Sequence, residues 1–369
     1  MGRKFSERRK ILIQRDEAVK IAETDIADKI CALYNLDRTC FSLLEGHEGC
    51  QNIIFMYKKN TVELAVRISF REDRNFNDIL AETHFVNFLF ENGVRVSNPI
   101  KSVNGNFTEN ISVKGIDFFT AVFTKAKGES LSANGYLYRD GAPIEEYFYN
   151  YGKMIGSIHR VTQLYDPMSP EITRPEWINT MKENFIEKYC TPELSEVKAK
   201  FLHLCSEAQK LPKNADAYGL IHADFNDGNF CIDYNTGDIT VFDFDDSAYC
   251  WFMYDLADAW SKGVGWCRFE GDVQKRRDFM AHYFDTVVKG YSSENTISDT
   301  WLDKLPFFLK LVEMEGFLNE LHYMTTVEGG IEYDEYAAFR IECITKDILY
   351  LGFFDPLYSA ENPFCLAED

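Results

Sequence analysis

YGLIHADFNDGNFCIDYNTGDITVFDFDD, residues Tyr218 to Asp246, is the stretch that decides the fold. Short apolar runs alternate with polar turns. An apolar strand runs through Ile221 into a polar loop, then a strand over Asn229 to Asp233, a turn at Asn235-Thr236-Gly237, and a second strand over Ile239 to Phe244. Carboxylates and an asparagine stand at the strand ends, where a rigid backbone presents side chains at fixed offsets. His222-Ala-Asp224-Phe-Asn-Asp-Gly-Asn229 spells H-x-D-x-x-x-x-N, and Asp243 follows on the next strand.

Phosphoryl transfer asks for little covalent chemistry from a protein. It needs a carboxylate that accepts or orients a hydroxyl proton, and oxygen ligands that hold Mg2+ against nucleotide phosphates. The His222 to Asn229 spacing is that of a kinase catalytic loop, and Asp243 stands where a second magnesium carboxylate belongs. A base, Asp224, and two metal ligands, Asn229 and Asp243, are thus present together.

The stretch resembles the aminoglycoside phosphotransferase and choline kinase family, the small-molecule relatives of protein kinases. In that family an Asp-hydrophobic-Ala helix start follows the loop and strand, and Asp255-Leu256-Ala257 occupies that place. The resemblance implies Asp224 as catalytic base, Asn229 and Asp243 as magnesium ligands, His222 as a structural brace and Asp255 as a support for the loop. Asp227, Asp245 and Asp246 are read first as turn and strand-end residues, with metal ligation as the alternative.

Composition sets outer bounds. A chain of 369 residues, 46% apolar and 27% charged, has room for two globular domains with their own cores. No run of 18 uncharged apolar residues occurs, so no membrane-spanning helix is expected. The basic start, MGRKFSERRK, lacks a signal-peptide apolar core, and ten cysteines without C-x-x-C spacing read as reduced thiols of a cytoplasmic protein rather than a zinc site. A net charge of -20 argues against nucleic acid as partner and permits a cationic substrate.

Upstream, residues 16–34 carry apolar residues at helical spacing, followed by three strands over 41–46, 52–59 and 61–70. The loop between the first two strands contains Gly49 and ends at Asn52; glycines let backbone amides approach a phosphate, and Asn52 adds a side-chain donor. Arg67 lies in an apolar strand and needs a carboxylate. Kinases set a basic residue there against the α- and β-phosphates and pair it with a helix Glu, and the helix over 77–92 offers Glu82. The resemblance makes 123–127 the hinge, with Phe123 and Lys125 at the adenine. A glycine-containing helix from Ile144 ends near His159, read as a packed structural histidine.

The expected architecture is α+β, a bilobal protein-kinase-like fold. Residues 1–125 form an N-lobe of about five antiparallel strands that binds nucleotide. Residues 126–369 form a mainly helical C-lobe with the catalytic loop and the acceptor site, and ATP lies between the lobes. Absence of D-F-G and A-P-E leaves no room to grip a peptide, which favours a small-molecule hydroxyl as acceptor over the runner-up, a protein Ser/Thr kinase. Asp243-x-Asp245 also suits a metal-dependent glycosyltransferase, and a silent kinase-like binding protein is the non-enzymatic reading. The acceptor is expected to be an amino alcohol or aminoglycoside, held by Asp245, Asp246, Tyr249, Trp251, Glu313, Glu315 and Glu320, because carboxylates and aromatic faces suit an ammonium group.

Overall fold

The computed structural model describes residues 13–44, 52–70, 74–326 and 334–350. The chain divides into two compact units, Met1–Lys127 with Asp166–Thr173, and Gly128–Tyr165 with Arg174–Asp369.

In the first unit, α1 (Arg15–Ile21) runs through a π-helical turn (Ala22–Ile26) into α2 (Ala27–Tyr34). Strands β1 (Phe41–Leu43), β2 (Ile53–Lys59) and β3 (Val62–Ser69) precede α3 (Phe76–Glu91), and β4 (Pro99–Ile100), β5 (Thr108–Val113) and β6 (Ile116–Thr124) follow it. They form one antiparallel sheet in the order β1-β2-β3-β6-β4, with β5 also on β6. Asn98-Pro99, which reads as a turn, instead opens a two-residue edge strand, a position that tolerates a residue without N–H. The period-two alternation of β3 sends Leu64, Val66 and Ile68 to one face, where they join Phe55, Phe118 and the apolar stripe Ala18, Ile21, Ile26 and Ile30 in a core. Arg67 therefore points to the other face. There α3 begins at a capping box: Asn75 Oδ1 accepts from the N–H groups of Asn77 (2.8 Å) and Asp78, and Asp78 Oδ2 accepts from Asn75 N–H.

The second unit begins with α4 (Ile144–Thr162), α5 (Trp177–Thr180), a π-helical stretch (Met181–Ile186), α6 (Glu187–Tyr189) and α7 (Ser195–Ala208). Four short strands follow, β7 (Tyr218–Ile221), β8 (Phe230–Asp233), β9 (Asp238–Val241) and β10 (Ala248–Trp251). Helices α8 (Phe252–Cys267), α9 (Val273–Ser292), α10 (Asp299–Leu302), α11 (Leu305–Thr326) and α12 (Glu335–Thr345) complete it. β8 and β9 form a hairpin, while β7 pairs with β10, a strand the sequence patterning does not reveal. Helices α4 and α9 touch backbone to backbone: a Cβ on Gly290 would stand 1.9 Å from the Tyr149 carbonyl oxygen, so only glycine fits. Among the described residues no helix is long and apolar enough to cross a membrane.

Candidate active site

The candidate catalytic loop leaves β7 at Ile221 and is gripped by the first turn of α8. The buried Asp255 carboxylate accepts from the backbone N–H of Ala223 at Oδ1 (3.1 Å) and of His222 at Oδ2 (3.1 Å). His159 Nε2 adds a contact to Oδ2 at 3.1 Å, and the His159 ring stacks on Phe252 with centroids 4.4 Å apart. These bonds hold Ala223 at φ +66, a left-handed conformation that a residue with a Cβ adopts at a cost of about 1 kcal/mol. His222 lies flat in the core. Its Nε2 contacts the Phe242 carbonyl (3.2 Å), its Nδ1 accepts from Asp224 N–H (3.3 Å), and burial lowers its pKa, so the ring is a neutral brace.

Asp224 comes next, half-buried. Asn226 Nδ2 donates to Oδ1 (2.7 Å) and Asn229 Nδ2 to Oδ2 (2.8 Å), which orients the carboxylate from both sides. Burial first, then the charge of Asp246, pushes the Asp224 carboxyl up to about 6, with Lys262 opposing. With its nitrogen turned to Asp224, Asn229 has its amide oxygen left to present to a cation. Its backbone carbonyl accepts from Phe242 N–H (2.9 Å), which brings Asp243 beside it. The hairpin register, Phe230 opposite Val241, is thus what converts fourteen residues of separation into neighbourhood. The strand expected to reach Phe244 stops at Val241, and Asp243 stands beyond it, exposed, at φ +61. An amide oxygen and a carboxylate oxygen are hard donors of the kind that could hold a divalent cation.

In the first unit, Arg67 and Glu82 form a two-pronged ion pair, Nη1 to Oε1 at 2.8 Å and Nη2 to Oε2, with side chains 7% and 1% exposed. The guanidinium lies 5.4 Å from the Phe123 ring centroid. Asn52 is buried, and among the described residues its Oδ1 has no partner. Lys125 is exposed and pairs with Glu63 at 3.2 Å. Gly49 lies outside the described residues.

The residues expected at the acceptor separate. Asp246 is exposed and close enough in charge to perturb Asp224 and Glu315. Asp245 is buried, its backbone carbonyl accepting from Arg174, and Tyr249 lies half-buried on β10. Trp251 is core instead: 1% exposed, its indole N–H donates to the Pro212 carbonyl (3.0 Å). Glu313 accepts from Tyr350 N–H (2.9 Å) and Glu320 pairs with Arg340 (2.7 Å), so both hold the C-terminal segment. Helix geometry separates them from Glu315. At 3.6 residues per turn, positions 313 and 320 share a face of α11 and 315 lies about 200° from 313. Glu315 receives Trp177 Nε1 at Oε1 (3.2 Å) and the Tyr254 hydroxyl at Oε2. Asp258 and Lys262, joined at 3.0 Å, were missed although the signal exists: they follow Asp255 by three and seven positions, on one face of α8.

Residues 51–292 match the model of the APH family, the phosphotransferase enzyme family. The chain belongs to that family. It is 30% identical over 296 residues to the amicoumacin kinase of Bacillus subtilis (strain 168), covering 79% of this chain and 83% of that protein. The fold matches a solved amicoumacin kinase, hAmiN in complex with AMP-PNP, Ca2+ and Ami (TM-score 0.75, 25% identity, 90% of this chain and 96% of that one). It also matches a microcompartment-associated aminopropanol kinase (TM-score 0.62, 18% identity, 89% and 94%). The protein is a kinase that uses ATP and a divalent metal to phosphorylate a hydroxyl of a small molecule. The glycosyltransferase and non-enzymatic readings fall with that membership.

Proposed function

We propose that this kinase moves the γ-phosphoryl group of Mg-ATP to the hydroxyl of an amine-bearing alcohol, with Asp224 as base. Asn229 and Asp243 would hold the metal, which would offset the negative charge of the nucleotide phosphates. Asp224 receives the hydroxyl proton as the acceptor oxygen bonds to the γ-phosphorus and the bond to the ADP oxygen breaks. Asn226 and Asn229 keep the carboxylate aimed while this happens. In the first unit Asn52 and the Arg67–Glu82 pair serve the nucleotide phosphates, and the end of β6 at Phe123 with the following Lys125 serves the adenine. Ten cysteines without C-x-x-C spacing support a cytoplasmic setting.

The observation that carries the reading is the Asp224 carboxylate, fixed on both oxygens beside two hard oxygen donors. An amine-bearing acceptor is supported by the carboxylates of Asp246 and Asp258 acting on Asp224, with Lys262 opposing. The test pairs two variants. Asp224→Ala is expected to lose at least about a hundredfold in turnover with ATP affinity retained, and Asp243→Ala to lose Mg2+-dependent nucleotide binding. Retained turnover in the first, or Mg-ATP stabilisation of the second equal to that of the parent, removes the respective assignment.

A further inference from the structure

Glu315 occupies an unusual place. Trp177 and Tyr254, 2% and 1% exposed with ring centroids 4.6 Å apart, donate to its two oxygens and fix the carboxyl plane. The glutamate itself keeps solvent-accessible surface, as do Asp224 and Lys262. Asp258 and Lys262, charge-paired on α8, act electrostatically on both Asp224 and Glu315, and the first turn of the same helix supplies Tyr254 to Glu315 and Asp255 to the backbone that leads into Asp224. Asp246 and Asp258 act on both Asp224 and Glu315, with Lys262 as the opposing cation. Among carboxyls so crowded, one whose charge is disfavoured by burial keeps a proton unless a cation arrives. A glutamate with only a packing role would be sealed with its two donors, and this one keeps part of its surface accessible.

We propose that Glu315 is the specificity-determining residue of the acceptor site, its carboxylate receiving the ammonium group of the acceptor whose hydroxyl is offered to Asp224. This rests on the phosphotransferase reading with an amine-bearing acceptor. Lys262 neutralises Asp258 and so directs the incoming cation to Glu315. Burial holds the Glu315 carboxyl at about 8, with the Tyr254 and Trp177 bonds opposing and the charges of Asp258 and Asp246 adding. Cys250 and Lys262 also interact with it. Binding of an ammonium therefore displaces the Glu315 proton to solvent. Acceptor KM falls about tenfold per unit as pH rises from 6 towards 8, and flattens above.

The test uses the full chain with Mg-ATP and matched acceptors: 1-amino-2-propanol against 1,2-propanediol, ethanolamine against ethylene glycol, and amicoumacin against its N-acetyl derivative. An amine-bearing member is expected to be the better substrate. Glu315→Gln should raise its KM about thirtyfold or more with kcat within about threefold, and should abolish the pH slope of KM. Should that variant not fold, calorimetry on the parent carries the test: titration of the amine into the Mg-AMP-PNP complex at pH 7, in two buffers of different ionisation enthalpy, should show proton release. An unchanged KM or pH slope in Glu315→Gln, no proton release, or equal use of the neutral analogues overturns the proposal and leaves the kinase intact. ATP hydrolysis with no amine in the panel phosphorylated also overturns it. Loss of Mg-ATP binding in the parent would instead sink the reading on which it rests.

Discussion

Asp255→Asn tests whether the catalytic loop is held by the carboxylate at the start of α8. The parent side chain, 2% exposed, accepts three hydrogen bonds: Ala223 N–H at Oδ1, and His222 N–H and His159 Nε2 at Oδ2. An amide in its place must turn an NH2 towards one of the two backbone N–H groups, whichever way it is flipped. At least one charge-assisted bond is then lost and one buried donor stranded, each worth about 1.5 to 3 kcal/mol. The left-handed Ala223 loses part of the support that keeps it there. We expect a local destabilisation of about 3 kcal/mol, which is a factor of about a hundred in opening equilibrium. Amide hydrogen exchange followed by mass spectrometry over 218–230 should show that acceleration at His222 to Asp224, and kcat should fall at least about tenfold because Asp224 is next in the chain. Unchanged protection of the loop together with kcat within twofold of the parent would refute the account.

Two further outcomes follow from charges buried elsewhere. Arg67→Met and Glu82→Gln should each destabilise the first unit by about 3 to 5 kcal/mol by stranding a buried partner, while Arg67→Met with Glu82→Leu costs far less than the sum; additive losses in urea melts would mean that the pair is not coupled. Glu313 has its carboxyl raised to about 7, by burial against the opposing bond from Tyr350 N–H. The folded state therefore holds a proton that the unfolded chain releases, so the parent loses stability as pH rises from about 4.5 through about 7. Glu313→Gln keeps an acceptor for Tyr350 without that loss. Its stability advantage should grow across this window to on the order of 3 kcal/mol at pH 8, and parallel stability curves for the two proteins would contradict it.

Family, fold class and reaction were legible in the amino-acid order because their signals are local. His222, Asp224 and Asn229 lie within eight residues, and the chain between them is short enough that spacing alone implies convergence. Arg67 was readable for a related reason: a cation inside an apolar strand must find a carboxylate, and the next helix offers Glu82. The acceptor side was not readable in this way. α11 carries apolar residues on most sides, so its pattern does not say which face meets which neighbour, and Glu313, Glu315 and Glu320 look alike in sequence. Only the packing of α11 against α8 on one side and the C-terminal segment on the other assigns Glu315 to Trp177 and Tyr254, and Glu313 and Glu320 to Tyr350 and Arg340. Trp251 at the end of β10 likewise becomes core through its pairing with Tyr218, a partner 33 residues away. Short-range spacing is set by bond geometry and survives in any one chain, whereas the choice of face for a buried helix is settled by partners distant in sequence.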